Sequence, residues 1–159
     1  RGYAQYEISN FAKPGRESRH NMKYWVGDEY LGFGPCAASD FAGRRFTIKP
    51  DLEGYIKGVM DKGQILSESE LVPLRERAGE YLMLRLRTVD GIEKGEYTRS
   101  FLLPFEPIEE ILLRLQTQEY AAFTSGRWHL TPKGFMLSNT ILVELLEAQQ
   151  KSKPLAQKR

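Results

Sequence analysis

His20 is one of only two histidines in the 159 residues of this chain, and it sits in SRHNMKYW, Ser18 to Trp25, beside Asn21, Tyr24 and Trp25. A neutral imidazole nitrogen can ligate a transition metal or a haem iron, and flat aromatic rings can pack against a planar ligand. The same residue types also serve structure, as an exposed or hydrogen-bonded histidine and a packed Tyr-Trp pair. The types alone leave both readings open.

Other stretches offer less. GFGP, Gly32 to Pro35, carries little side-chain bulk, which suits close approach of a ligand to the backbone or, as readily, a bulge. His129 beside Trp128 reads as a packed or surface residue, with ligand or partner contact as its alternative. Arg75, Arg77, Arg85 and Arg87 read as a solvated helix surface paired with acidic neighbours rather than as a basic binding face.

These residues need elements to hold them. YAQYEISNF alternates as a strand does, and YLGFGPCAASDF reads as a second, Gly-interrupted strand. Between them AKPGRESRHNMKYW reads as a loop, because Pro14-Gly15 is a turn dipeptide followed by charged residues. Leu52, Tyr55, Ile56 and Val59 recur at helical spacing after Pro50-Asp51 and predict a connecting helix. SESELVPLRERAGEYLMLRLRTVDGI predicts a Ser-capped helix, the longest of the core, with Leu71, Leu74, Ala78, Tyr81 and Leu82 on one face. Gly91 and Gly95 suit turns. Ile108, Ile111, Leu112 and Leu115 mark another helix, YAAFTSGRWHL a hairpin, and LTPKGFMLSNTILVELLEAQQ a final helix.

The composition, 41% apolar and 28% charged with a formal charge of +2, is that of a globular chain without a general affinity for polyanions. The helix IEEILLRLQTQEY carries three Glu against one Arg, so nucleic acid is not an expected partner. No apolar run is long enough for a membrane span and no leader is evident, so a cytoplasmic location is expected. Cys36 is the single cysteine. It cannot form an internal disulfide, a thiolate-only zinc site or a three-cysteine cluster site.

Residue order adds what residue types do not. GYAQYEISNFAKPGRESRHNMKYWVGDEYLGFG closely resembles a segment of HemW-like proteins, relatives of the oxygen-independent coproporphyrinogen III oxidases of the HemN family. In that segment a strand ends in ISNFAKPG and leads through HN-x-x-YW to GFG. LRLRTVDGI and LTPKGFMLSNTIL look like landmarks of the same family's C-terminal domain. The resemblance covers nearly all of the chain before its tail.

The resemblance implies that the complete protein is a radical S-adenosylmethionine protein with a partial, open β/α barrel and a four-iron four-sulfur cluster on a C-x-x-x-C-x-x-C loop. It implies an α/β remnant of that barrel over 1–49, a connecting helix over 50–66, a mostly helical, winged-helix-like HemN-type C-terminal domain over 67–150, and a flexible tail over 151–159. The cluster ligands are absent here, and the chain begins at Arg1 without an initiator Met. We therefore expect a longer natural protein, with an N-terminal barrel core as partner, and no radical chemistry from this chain alone. An unpaired barrel edge would favour dimerisation or strand exchange.

In the HemW branch the implied task is to bind haem and deliver it to haem-requiring client proteins, with His20 as the haem ligand. Tyr24 and Trp25 complete the motif, and Asn21 orients the imidazole or its surroundings. Pro35, Cys36, Ala37 and Ala38 would carry backbone contacts to S-adenosylmethionine in the complete protein. Many relatives read GFGPGAHS where this chain has GFGPCAAS, so Cys36 replaces a Gly and Ala38 a His. The alternatives are a part of a coproporphyrinogen oxidase of porphyrin biosynthesis, and an interaction module that docks a client through the acidic helix carrying Glu109 and Glu110.

Overall fold

A computed structural model describes residues 1–155; residues 156–159 of the expected flexible tail lie outside the described residues. The chain forms two compact units, one of Arg1–Gly27 together with the residues from Leu74 onward, the other of Asp28–Pro73.

The first unit opens with an antiparallel hairpin, β1 (Ala4–Glu7) and β2 (Asn10–Ala12), where a single strand was expected. Glu7 is fully buried, and its carboxylate accepts from the Ser9 N–H at 2.7 Å and from the Asn10 amide, which folds the turn back on itself. The outer side of β1 is bridged by residues 87–89: Ile8 N–H donates to the Arg87 carbonyl and Val89 N–H to the Tyr6 carbonyl. The N-terminal residues are thus built into the same unit as the C-terminal helices.

The loop expected over AKPGRESRHNMKYW is largely a helix, α1 (Arg19–Val26). Ser18 Oγ accepts from the Asn21 N–H at its start, and Gly27 closes it in the left-handed region at φ 76°. α3 (Leu74–Arg85) follows the second unit, then α4 (Lys94–Phe101) and α5 (Glu106–Thr117). The expected hairpin is present as β6 (Ala121–Thr124) and β7 (Arg127–Leu130), turned by Ser125-Gly126. The expected final helix is two, α6 (Pro132–Met136), capped by Thr131, and α7 (Ser138–Lys151), which is longer than α3.

The core lies among these helices. Leu82, Leu86, Ile92, Tyr97, Phe105 and Leu112 are fully buried, and α5 buries Ile108, Ile111, Leu112 and Leu115 on one stripe, each contributing about 1.5–3 kcal/mol. Gly95, expected in a turn, lies instead in the first turn of α4. Part of the expected tail is held: Lys151 belongs to α7, and Leu155 N–H donates to the Leu102 carbonyl.

The expected surface arginines are mostly tertiary struts. Arg75 donates to the carbonyls of Gln149, Gln150 and Ser152 at the end of α7, while Gln149 returns a bond to the Arg75 carbonyl. Arg85 and Arg127 both pair with Glu96. Arg77 alone makes the local pair that its spacing suggested, with Glu80.

The second unit is an antiparallel sheet in the order β3 (Ala38–Phe41), β4 (Arg44–Ile48), β5 (Leu66–Leu71), with α2 (Leu52–Met60) between β4 and β5. Ala42 and Gly43, both at positive φ, turn β3 into β4, and Glu29 accepts the Ala42 N–H at 2.7 Å. Residues 67–71, expected to open the long helix, lie in β5. The expected connecting helix is α2, with Leu52, Ile56 and Val59 more than half exposed. Every strand pair among the described residues is antiparallel. The mixed α/β content expected of the first third is present; parallel β/α-barrel pairing is not found among those residues.

Candidate functional site

α1 packs against α3 and is closed at both ends, so HNMKYW is held on a fixed scaffold. The helix sorts the motif by face. Residues four apart share a side, and the rings of His20 and Tyr24 meet edge to face at 5.3 Å and 83°. Both are exposed, Tyr24 at 43%. Among the described residues no hydrogen bond engages the His20 imidazole. One step along, Asn21 uses its backbone N–H to cap the helix through Ser18 at 3.3 Å.

Trp25, four residues from Asn21, turns to another side and is half buried. There it lines a cleft of about 630 Å³ together with the β1–β2 turn at Ile8 and Ser9, Arg87, and the α6–α7 junction from Phe135 to Thr140. The Arg87 guanidinium donates to Asn139 Oδ1 at 3.1 Å. No side chain caps the start of α7. The motif itself did not announce Arg87 and Met136: they are far from it in sequence and reach Trp25 only through the fold.

Pro35, Cys36, Ala37 and Ala38 belong to the second unit. Pro35 and Cys36 form a turn, and Cys36 is exposed with φ 64° in the left-handed region. Ala37 is anchored from both sides, its N–H donating to the Gly34 carbonyl and its carbonyl accepting from Ile48 N–H at 2.9 Å. Ala38 opens β3 opposite Thr47. Gly32 has a local reason to be Gly: a Cβ there would collide with the Ala38 carbonyl oxygen. Its N–H donates to the fully buried Ser39 hydroxyl at 3.0 Å. Gly32 thus accommodates the chain's own backbone, whereas Gly34 has open space where a Cβ would stand and takes a positive φ of 98°.

His129 is held within its hairpin, Nε2 against Thr124 Oγ1 at 2.9 Å. On the acidic helix, Glu109 accepts from Lys94 Nζ at 2.7 Å, while Glu110 is exposed. No group of three or more His, Cys, Asp or Glu placed to hold a metal ion is found among the described residues. No helix among them is long and apolar enough to cross a membrane.

Comparison with known proteins defines the class first: residues 72–137 match the HemN C-terminal domain. The fold is similar to that of coproporphyrinogen III oxidase (HemN) from Escherichia coli, a radical SAM enzyme, with a TM-score of 0.63 and 16% identity over 94% of this chain and 37% of that one. The sequence is 32% identical over 91% of its length to Heme chaperone HemW of Lactococcus lactis subsp. lactis, and 30% identical over 88% to Heme chaperone HemW of Bacillus subtilis. The chain is thus similar to HemW proteins over nearly its whole length. It spans 38% and 37% of the length of these two relatives.

Proposed function

We propose that this chain carries the haem-binding part of a HemW-like haem chaperone, with His20 as the iron ligand, and contributes to delivering haem to haem-requiring clients. The observation that carries the reading is the presentation of His20: an exposed imidazole on a capped helix, backed by the ring of Tyr24, in a chain similar to proteins named heme chaperones. When bound, haem would supply an iron that accepts an imidazole nitrogen. The chain's part is to hold that imidazole accessible. Asn21 acts on it by fixing the start of α1, Tyr24 restricts its ring, and Trp25 flanks the ligand from the adjoining side.

A four-iron four-sulfur cluster held by three thiolates does not fit this chain's residues, since Cys36 is its only cysteine. In this reading cluster and S-adenosylmethionine belong to the complete family protein, where Pro35 to Ala38 give backbone contacts and an N-terminal core completes the barrel of which residues 1–49 are a part. Residues 50–66 connect it to a winged-helix-like domain over 67–150. Catalysis is not assigned to this chain alone. The oxidase reading is favoured only by the fold likeness, whose identity is too low to carry an activity.

The test is a haem titration followed in the Soret band beside His20→Ala, with circular dichroism to compare folding. Wild-type chain is expected to saturate and His20→Ala to lose binding about tenfold or more, the loss of one good ligand. Equal binding by two folded proteins would exclude His20 as ligand. A client-docking role for the acidic helix is tested separately by Glu110→Lys, which spares the Lys94–Glu109 pair.

A further inference from the structure

The cleft beside Trp25 carries charge and apolar surface in a pattern that the haem-binding motif does not use. At about 630 Å³ it falls within the range of small-molecule sites, about 300–1,000 Å³. Its walls supply a half-buried Trp25, the buried ring of Phe135 and, at the rim, Met136 and Leu137, which are 85% and 44% exposed. Large apolar side chains left in water beside a concavity favour an apolar occupant. The cleft's charged donor is Arg87, whose planar guanidinium suits a carboxylate. Among the described residues the Arg87 guanidinium makes one bond, to a neutral partner, Asn139 Oδ1. The uncapped start of α7 at Ser138 to Thr140 adds backbone N–H groups of the same preference. No acidic side chain is among the cleft's lining residues.

We infer that this cleft binds the carboxylate-bearing edge of a flat apolar ring, the propionate side of a porphyrin, with Arg87 pairing a carboxylate and Trp25, Phe135 and Met136 covering the ring. The inference rests on the haem-binding reading and deepens it. His20 supplies the iron ligand from one side of α1, and Arg87 and its neighbours form a second, iron-independent contact reached from Trp25's side.

Independence from iron makes the two readings separable. Metal-free protoporphyrin IX is titrated into the full chain and into Arg87→Gln, Asn139→Ala and His20→Ala, following quenching of tryptophan fluorescence, with circular dichroism as the folding control. Arg87→Gln is expected to weaken binding about tenfold or more, the usual loss for a charge-assisted bond. Asn139→Ala keeps the guanidinium and is expected to lose less than Arg87→Gln does, while His20→Ala is expected to lose less with protoporphyrin than with haemin, because only haemin offers an iron to the imidazole. Equal affinity of wild type and Arg87→Gln, no binding by wild type, or a loss in Asn139→Ala equal to that in Arg87→Gln would each overturn the inference. A parallel titration with haemin reads the His20 assignment on its own: a loss confined to His20→Ala would leave that assignment standing and the cleft without a role.

Discussion

Cys36 holds a Cβ on left-handed backbone at φ 64°. An L side chain there costs about 1–2 kcal/mol, part of which Gly returns as greater freedom of the unfolded chain. Cys36→Gly is therefore expected to raise stability by about 0.5–1 kcal/mol in urea unfolding, and Cys36→Val to lower it. Unchanged midpoints for both would show that the turn tolerates a Cβ without strain. The candidate site was legible at this scale only where it is contiguous: SRHNMKYW showed which residues gather. It did not show that the helix would pair His20 with Tyr24 and Asn21 with Trp25, because a segment read as a loop has no faces. Arg87 and Met136 join Trp25 through packing, and no local spacing encodes that.

The segments that were misread each held competing signals. Pro14-Gly15 and a run of charges concealed α1, although Ser18 and Gly27 were the caps to look for. SESEL reads through its serines and acids as a helix start, yet its pairing with β4 decides the matter, Arg45 opposite Glu70 and Phe46 opposite Ser69. By contrast α2, α5 and the β6–β7 hairpin were legible because periodicity, Ser-Gly turn and stop signals agree. The α3–α7 lock was invisible, since Arg75 and Gln149 stand far apart in sequence. Arg75→Leu removes three side-chain bonds to the carbonyls of Gln149, Gln150 and Ser152 at the end of α7, and leaves of the lock only the bond from the fully buried Gln149 amide to the backbone carbonyl of residue 75. A loss of about 2–4 kcal/mol is expected in chemical denaturation. A loss within about 0.5 kcal/mol, the range of ordinary surface substitutions, would show that the lock is incidental.

For the whole molecule, alkaline pH is the informative variable. Burial pushes the phenols of Tyr81 and Tyr97 up to about 12 from an ordinary 10.0. Between those values the unfolded chain has released protons that the native chain still binds, so stability is whole below about pH 10 and falls as pH rises toward 12. Tyr97→Phe removes a buried hydroxyl without a partner among the described residues. It is expected to cost little at pH 7 and to flatten the alkaline decline; an unchanged slope would place the sensitivity elsewhere. The division into two units has a consequence in time. Arg1–Gly27 leave the ribosome before Asp28–Pro73, yet α3, Thr88 and the cleft walls they meet are made only after all of Asp28–Pro73. At about 5–20 residues per second the segment carrying His20 waits some seconds during synthesis for its scaffold. The helix that carries His20 is thus made well before the residues that complete its unit.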